Sequence, residues 1–174
     1  IFEHAPQTEA SRQEVAACLS DLDEDTRVLA VETLGKWGSA SLSFLTEALM
    51  PEQPDRVRIS AASCLGRMGT DAEPAVSPLC SCLESSNELL RWHAGFALAG
   101  IGTPAVSQLK EKLTADKPTT VMGAVQALGW MEGKSLEALN DIQTAGKGDD
   151  IEVTACCASA MVRVSGNAEN GLPI

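Results

Sequence analysis

Two histidines and six cysteines are the side chains of this 174-residue sequence best suited to metal or nucleophilic chemistry, and their spacing favours neither. Cys18, Cys64, Cys80, Cys82, Cys156 and Cys157 form no Cys-x-x-Cys pair, and two histidines are too few to complete the usual zinc sets. The thiols read as small buried side chains; a strained vicinal disulfide between Cys156 and Cys157 is the less favoured alternative. His93 has no Ser, Cys or Asp that the sequence sets beside it, so a nucleophile–base pair is not indicated. The glycines read as helix caps rather than a phosphate-binding loop. Binding chemistry is better represented. His93, Phe96, Gln126 and Trp130 supply aromatic and hydrogen-bonding surface, and Lys36, Arg67 and Arg163 supply cations for a carboxylate or phosphate.

These residues fall in a recurring segment of twelve. Its copies begin at Arg27, Arg58, Arg91, Val121 and Thr154, 31, 33, 30 and 33 residues apart. Such a period indicates a solenoid of stacked units. Each copy has an anchor: Leu34, Leu65, Leu98, Leu128 and Met161. A small residue stands four before it (Ala30, Ala61, Ala94, Ala124, Cys157), and an apolar one three after (Trp37, Met68, Ile101, Met131, Val164). At about 100° per residue these share one helix face. Gly38, Gly69 and Gly102 read as C-terminal caps. A shorter apolar pattern precedes each copy: Val15/Cys18/Leu22, Leu42/Leu45/Leu49, Val76/Leu79/Leu83, Val106/Leu109/Leu113 and Leu136/Leu139/Ile142. Thr103-Pro104 reads as a cap followed by proline at the first helical position, and Pro78 is expected to kink its helix. Turn signals at Asp23-Glu24-Asp25, Pro54-Asp55, Ser86-Asn87, Lys117-Pro118 and Asp149-Asp150 precede the second helices. The expectation is an all-α, right-handed α-α superhelix of about five two-helix repeats, near 8–37, 38–69, 70–102, 103–132 and 133–165, forming one domain. Residues 166–174 read as an exiting tail.

Positions five before, two before and two after the anchor lie opposite the core face. They bring His93, Phe96 and Gly100 beside Gly123, Gln126 and Trp130, with the glycines leaving room around the rings. Lys36, Arg67 and Arg163 share one of these positions. Two readings stand for each group. Phe96 and Trp130 form a binding patch or pack on neighbouring elements, and the cations receive an acidic peptide or simply suit the helix C-terminus. Trp37 and Trp92 are assigned to packing.

Composition restricts the partners. Thirteen basic against 24 acidic residues leave a net charge of −11, which disfavours nucleic acid and anionic membrane surfaces. The chain contains no apolar run long enough to span a bilayer. It begins at Ile1 without Met or a basic-plus-apolar leader, compatible with a trimmed chain, a mature one or part of a longer one, so the compartment stays open with the cytoplasm favoured.

The pattern acidic-x-x-Arg-x-x-Ala-x-x-x-Leu-Gly-x-x-Gly over Asp55–Gly69, with Pro-Ala-Val-x-x-Leu over Pro104–Leu109, resembles the HEAT repeat and its phycobilisome-lyase HEAT-like subgroup. The resemblance runs over about residues 8 to 165. It implies first helices on the convex side and Arg-x-x-Ala helices on the concave side. It also implies that Arg27, Arg58 and Arg91 pair with carboxylates near Asp25, Asp55 and Glu88 as a ladder between units. The last unit departs, with Thr154, Met161 and Val162 in place of Arg, Leu and Gly, and reads as a capping or degenerate unit. Hydroxylases of this fold carry repeated His-Glu pairs. Here His4 follows Glu3 and His93 precedes Ala94, so that chemistry is not expected. The resulting expectation is a non-catalytic, monomeric scaffold without cofactor, binding a protein or peptide, acidic if the cationic row is used, in the concave groove at His93, Phe96, Gln126, Trp130, Lys36 and Arg67. The alternatives are a tetrapyrrole lyase- or chaperone-like protein and a structural piece of a longer array.

Overall fold

The computed structural model describes residues 8–166. The Glu3–His4 pair and the tail from Asn167 onward lie outside the described residues. Ten α-helices follow in pairs: α1 (Glu9–Ala17) with α2 (Glu24–Lys36), α3 (Leu42–Glu47) with α4 (Asp55–Met68), α5 (Val76–Cys82) with α6 (Glu88–Ile101), α7 (Val106–Lys112) with α8 (Pro118–Trp130), and α9 (Leu139–Ala145) with α10 (Ile151–Ser165). The described residues include no strand. The architecture is the all-α solenoid that the repeat implied.

Local chemistry sets the boundaries. Asp23, Asn87 and Asp150 accept the backbone N–H of Thr26, Leu90 and Val153, so three of the five second helices start on a side-chain cap. Replacing such a cap by Ala costs about 1 kcal/mol. Gly69 and Gly102 close α4 and α6 at φ +60° and +80°, where a Cβ is strained. Pro104 occupies the first turn as expected, but Thr103 makes no side-chain cap. Pro78 falls in the first turn of α5, where no intrahelical N–H is needed, so the break comes earlier, at Ala72 (φ −88°, ψ 15°).

Successive even-numbered helices pack on one another and on the odd-numbered helices before them. The core between these layers holds the anchors Leu34, Leu65, Leu98, Leu128 and Met161, the small residues four before them, and Leu45, Leu79, Leu109 and Ile142 of the first helices. Burying each leucine contributes roughly 1.5–3 kcal/mol. Small residues then let second helices close on each other. A Cβ on Gly66 would lie 2.9 Å from Ala97 Cα, and one on Gly100 would lie 2.6 Å from the Gly66 carbonyl oxygen.

Several expectations need correction. In the first unit α1 ends at Ala17 and a 3₁₀ turn over Cys18–Ser20 swings Leu19 into the core. Cys18 is half-buried, bonding back to the Glu14 carbonyl, and Leu22 stands almost fully exposed (99%) in the following turn. Over 133–145, the first half of the last unit, the buried positions are Ser135, Ala138 and Ile142, while Leu136 is exposed. Ser135 Oγ sits 2.7 Å from the Leu128 carbonyl and donates to it.

The arginines form no carboxylate ladder from unit to unit. Arg58 Nε donates to the Leu49 carbonyl and Nη1 to Asp55 of its own helix. Arg91 Nη1 donates to the carbonyls of Ser85 and Ser86, and Arg27 Nη1 to Gln53 Oε1. Arg58 and Arg91 thereby satisfy carbonyls left over where the first helix ends, whereas Arg27 bonds only the Gln53 side chain. Polar links between units include Asn87 donating to Asp55 at 2.8 Å and Arg56 pairing with Asp25 at 2.9 Å.

Candidate functional site

The outer face of the second helices is where the predicted residues meet solvent. Phe96 and Gln126 are exposed, and Trp130 and His93 are half-buried. Phe96 and Trp130 meet edge to face with ring centroids 6.1 Å apart. The ring that sequence reasoning set aside completes the group. Trp92 is 46% exposed, stacks on Phe96 at 5.5 Å and 4°, and meets Trp130 edge-on at 5.8 Å. The signal was available: Trp92 and Phe96 are four residues apart and share a helix face. Its position matches Val28, Ile59 and Met122 in the other units, which directed the reading toward packing. Half of the six Trp and Phe residues in the chain thus form one cluster on α6 and α8.

Gly100 and Gly123 do not make room for these rings. Gly100 sits on the Gly66 carbonyl, and Gly123 is buried against Leu83. Gly95 lies under the indole, its Cβ position at an ordinary contact distance of 3.4 Å from Trp130 Cζ3.

His93 has a partner after all. Its Nδ1 lies 2.8 Å from Ser63 Oγ on α4, and Ser63 Oγ also lies 2.9 Å from the Ile59 carbonyl. The carbonyl can only accept, so it takes the single hydroxyl proton, and Nδ1–H of His93 donates to Ser63. That direction is opposite to base activation of a serine. Burial holds the imidazole below its ordinary 6.5, and Trp92 packs edge-on against it at 4.9 Å. The pair is a tie between units.

Two grooves flank the aromatic cluster. One, of about 460 Å³, lies between α2 and α4, with Val28, Ile59 and Leu89 as apolar lining and Lys36, Arg67 and Glu32 among its polar groups. The other, about 370 Å³, lies between α8 and α10, with Trp130, Gln126, Ser159, Glu152 and Arg163. The structure therefore brings Phe96, Trp130 and Trp92 together, places Gln126 in the second groove, and separates Lys36 and Arg67 into the first. Arg67 Nη2 donates to Cys64 Sγ at 3.2 Å, yet burial outweighs that cation and raises the thiol, keeping it protonated. All six cysteines are free thiols; Cys156 is half-buried and Cys157 buried. The described residues contain no group of three or more His, Cys, Asp or Glu able to hold a metal, and no helix long and apolar enough to cross a membrane.

An all-α array of paired helices with a polar-and-aromatic outer face defines a repeat solenoid. The chain belongs to the HEAT-repeat family: the family described as HEAT repeats matches residues 13–84 and 76–161. It is similar to phycocyanin operon protein Z of Pseudanabaena tenuis (32% identical over 119 residues, 64% of this chain and 59% of that one). It is also similar to deoxyhypusine hydroxylase of Danio rerio (33% over 116 residues, 63% and 37%). The chain thus spans less than two thirds of either relative. Among solved structures, the archaeal HEAT-like repeats protein of Thermococcus onnurineus superposes with a TM-score of 0.57 at 16% identity, covering 92% of this chain and 72% of that one. A designed armadillo repeat protein in complex with the peptide (KR)4 does so with a TM-score of 0.50 at 17% identity, covering 89% and 82%.

Proposed function

We propose that this chain is a non-catalytic scaffold that binds a protein or peptide on the concave face formed by its second helices, with Phe96, Trp130 and Trp92 as the apolar anchor. His93 and Gln126 border that anchor, and Lys36 and Arg67 guide from the adjacent groove. The observation that carries this reading is the three-ring cluster. Phe96 is 55% and Trp92 46% exposed in a chain with 3% aromatic residues, and the rings stack on each other instead of entering the core. Aromatic side chains that are rigid and half-exposed supply most of the energy at interfaces. A backbone fixed by helix packing limits the ordering cost of binding. The Ser63–His93 proton arrangement supports binding over catalysis.

The test is selection of binders from a displayed random-peptide library, with affinities then measured by tryptophan fluorescence. Phe96→Ser is expected to weaken the selected peptides at least about tenfold, as loss of an interface anchor does. Leu22→Ser, which alters a still more exposed apolar residue outside the cluster, is expected to change nothing. Equal behaviour of the two variants would refute the assignment.

A second reading, a planar tetrapyrrole-type ligand lying on the Trp92–Phe96 stack, is favoured by the similarity to phycocyanin operon protein Z. Visible absorbance retained through purification, lost in Trp92→Ala, is its expected signature.

A further inference from the structure

The cations of this face are set apart by position. Arg12, Arg56, Arg58, Lys110 and Lys112 each lie within ion-pair distance of a carboxylate. Lys36, Arg67 and Arg163 are all exposed and make no ion pair among the described residues, although acidic residues outnumber basic ones 24 to 13. They stand at one helix position in units one, two and five, in the two grooves on either side of the aromatic cluster. Arg27, Arg91, Lys117, Lys134 and Lys147 also make no ion pair among the described residues, but they line neither groove. A guanidinium left unpaired beside hydroxyls and an apolar lining suits a carboxylate that arrives with an apolar neighbour. The net charge of −11 does not forbid this, because at physiological salt charges beyond about 8 Å are screened. The opposing groups within the grooves are Glu32 in the first and Glu152 in the second, one per groove.

Resting on the scaffold reading above, we propose that the occupant is an extended acidic peptide bridging both grooves. Carboxylates at one end seat on Lys36 and Arg67, a carboxylate at the other end seats on Arg163, and an apolar side chain between them lies on Trp92, Phe96 and Trp130. The fold sets the register. Arg67 on α4 and Arg163 on α10 are three helices apart, and adjacent packed helices lie about 8–10 Å apart, which gives about 24–30 Å. An extended chain covers that with about eight residues at roughly 3.3 Å each. Lys36, one helix further, adds an acidic position about three residues beyond. The binding motif is therefore two acidic residues about three apart, then an apolar residue, then an acidic residue about eight positions from the nearer of the pair.

The test uses fluorescence anisotropy of a labelled peptide with that pattern on the full chain, at low and high salt. Three more probes are compared: the peptide with Gln and Asn replacing its acids, the acidic peptide with Ser at the apolar position, and one with the acidic spacing halved. The patterned peptide is expected to bind tightest and to weaken with salt. Arg67→Glu and Arg163→Glu, checked for unchanged helical circular dichroism, are each expected to weaken it at least about twofold, since reversal removes an exposed charge pair and adds a repulsion of similar size. Equal affinity for the amidated peptide, indifference to both reversals, or no binding of the patterned peptide overturns the proposal. Tighter binding of a single-stranded oligonucleotide would also overturn it. Amidated or library peptides that bind through Phe96 alone would leave the scaffold reading standing; loss of all binding, together with no effect of Phe96→Ser, would end both.

Discussion

The seam between α4 and α6 and the seam between α6 and α8 are built from the same repeat and closed differently. At the first, backbone meets backbone: a Cβ on Gly66 would come within 2.9 Å of Ala97 Cα, and Gly100 rests on the Gly66 carbonyl. At the second, an indole fills the joint. Trp130 lies on Gly95, whose Cβ position has only ordinary contacts at 3.4–3.8 Å. A seam sealed by glycine has little left to offer a ligand, whereas one wedged by an aromatic leaves the ring edge and its stacked neighbours at the surface. The exposed aromatic surface of this solenoid sits where an indole, rather than bare backbone, fills the seam.

That contrast breaks first under substitution of its glycines. Gly66→Val places a branched Cβ against Ala97 and is expected to lower stability by about 2–3 kcal/mol, the cost of overpacking a closed contact. Gly95→Ala is expected to do the reverse, gaining up to about 1 kcal/mol of helix propensity because its Cβ meets nothing closer than van der Waals distance. Urea midpoints for the two variants check both signs. Equal losses would show the seams to be packed alike.

Both seams carry the same readable pattern of anchor, small residue and glycine, and the sequence reading reached their elements well. Each turn signal from Asp23 to Asp150 immediately precedes or opens a second helix, and every anchor is buried. Period and cap chemistry are local, and local rules are legible. The misses were matters of neighbours. Wheel geometry placed Gly123 and His93 on the open face, but each packs on an adjacent element, Gly123 on Leu83 and His93 on Ser63. Trp92 aligns with aliphatic residues in the other units, yet its partner is Phe96, four residues along the same helix. Leu22 kept its place in an apolar pattern that a 3₁₀ turn had already ended.

The next effect sharpens the comparison through pH, because the closed seam also carries the Ser63–His93 tie. Burial lowers the folded pKa of His93 below the ordinary 6.5. As pH falls, the unfolded chain takes up the proton first. The contribution of neutral His93 is therefore complete above about 6.5, declines below that value, and stops declining beneath the folded pKa. Glu9, Asp23 and Glu84, held low by Arg12, Thr26 and Lys112 respectively, act in a more acid window, below about 4.5, where their stabilisation is lost as they protonate. Melting temperature is expected to fall between neutral pH and the carboxylate window. His93→Gln, which can still donate to Ser63, should flatten that part of the profile and leave the acid limb unchanged. An unaltered profile would place the sensitivity elsewhere.

The smallest expected effect lies at the end of α8, just beyond the wedged seam. Gly38, Gly69 and Gly102 stand four residues after their anchors with φ of +67°, +60° and +80°; the equivalent residue after Leu128 is Glu132, at φ +53°. A side chain in that region costs roughly 1–2 kcal/mol relative to the right-handed form, and glycine relieves it while adding back about 0.5–1 kcal/mol of unfolded-state entropy. Glu132→Gly is therefore expected to stabilise the chain by about 0.5–1 kcal/mol, measured as a rise in the urea midpoint at constant slope, with affinity for a cluster-directed peptide unchanged. Glu132 is exposed and makes no ion pair among the described residues, so no compensating contact is lost. A matching loss on Gly69→Ala would show that the same backbone demand operates at the closed seam, and that the fourth unit departs from the first three in residue type while keeping their positive φ.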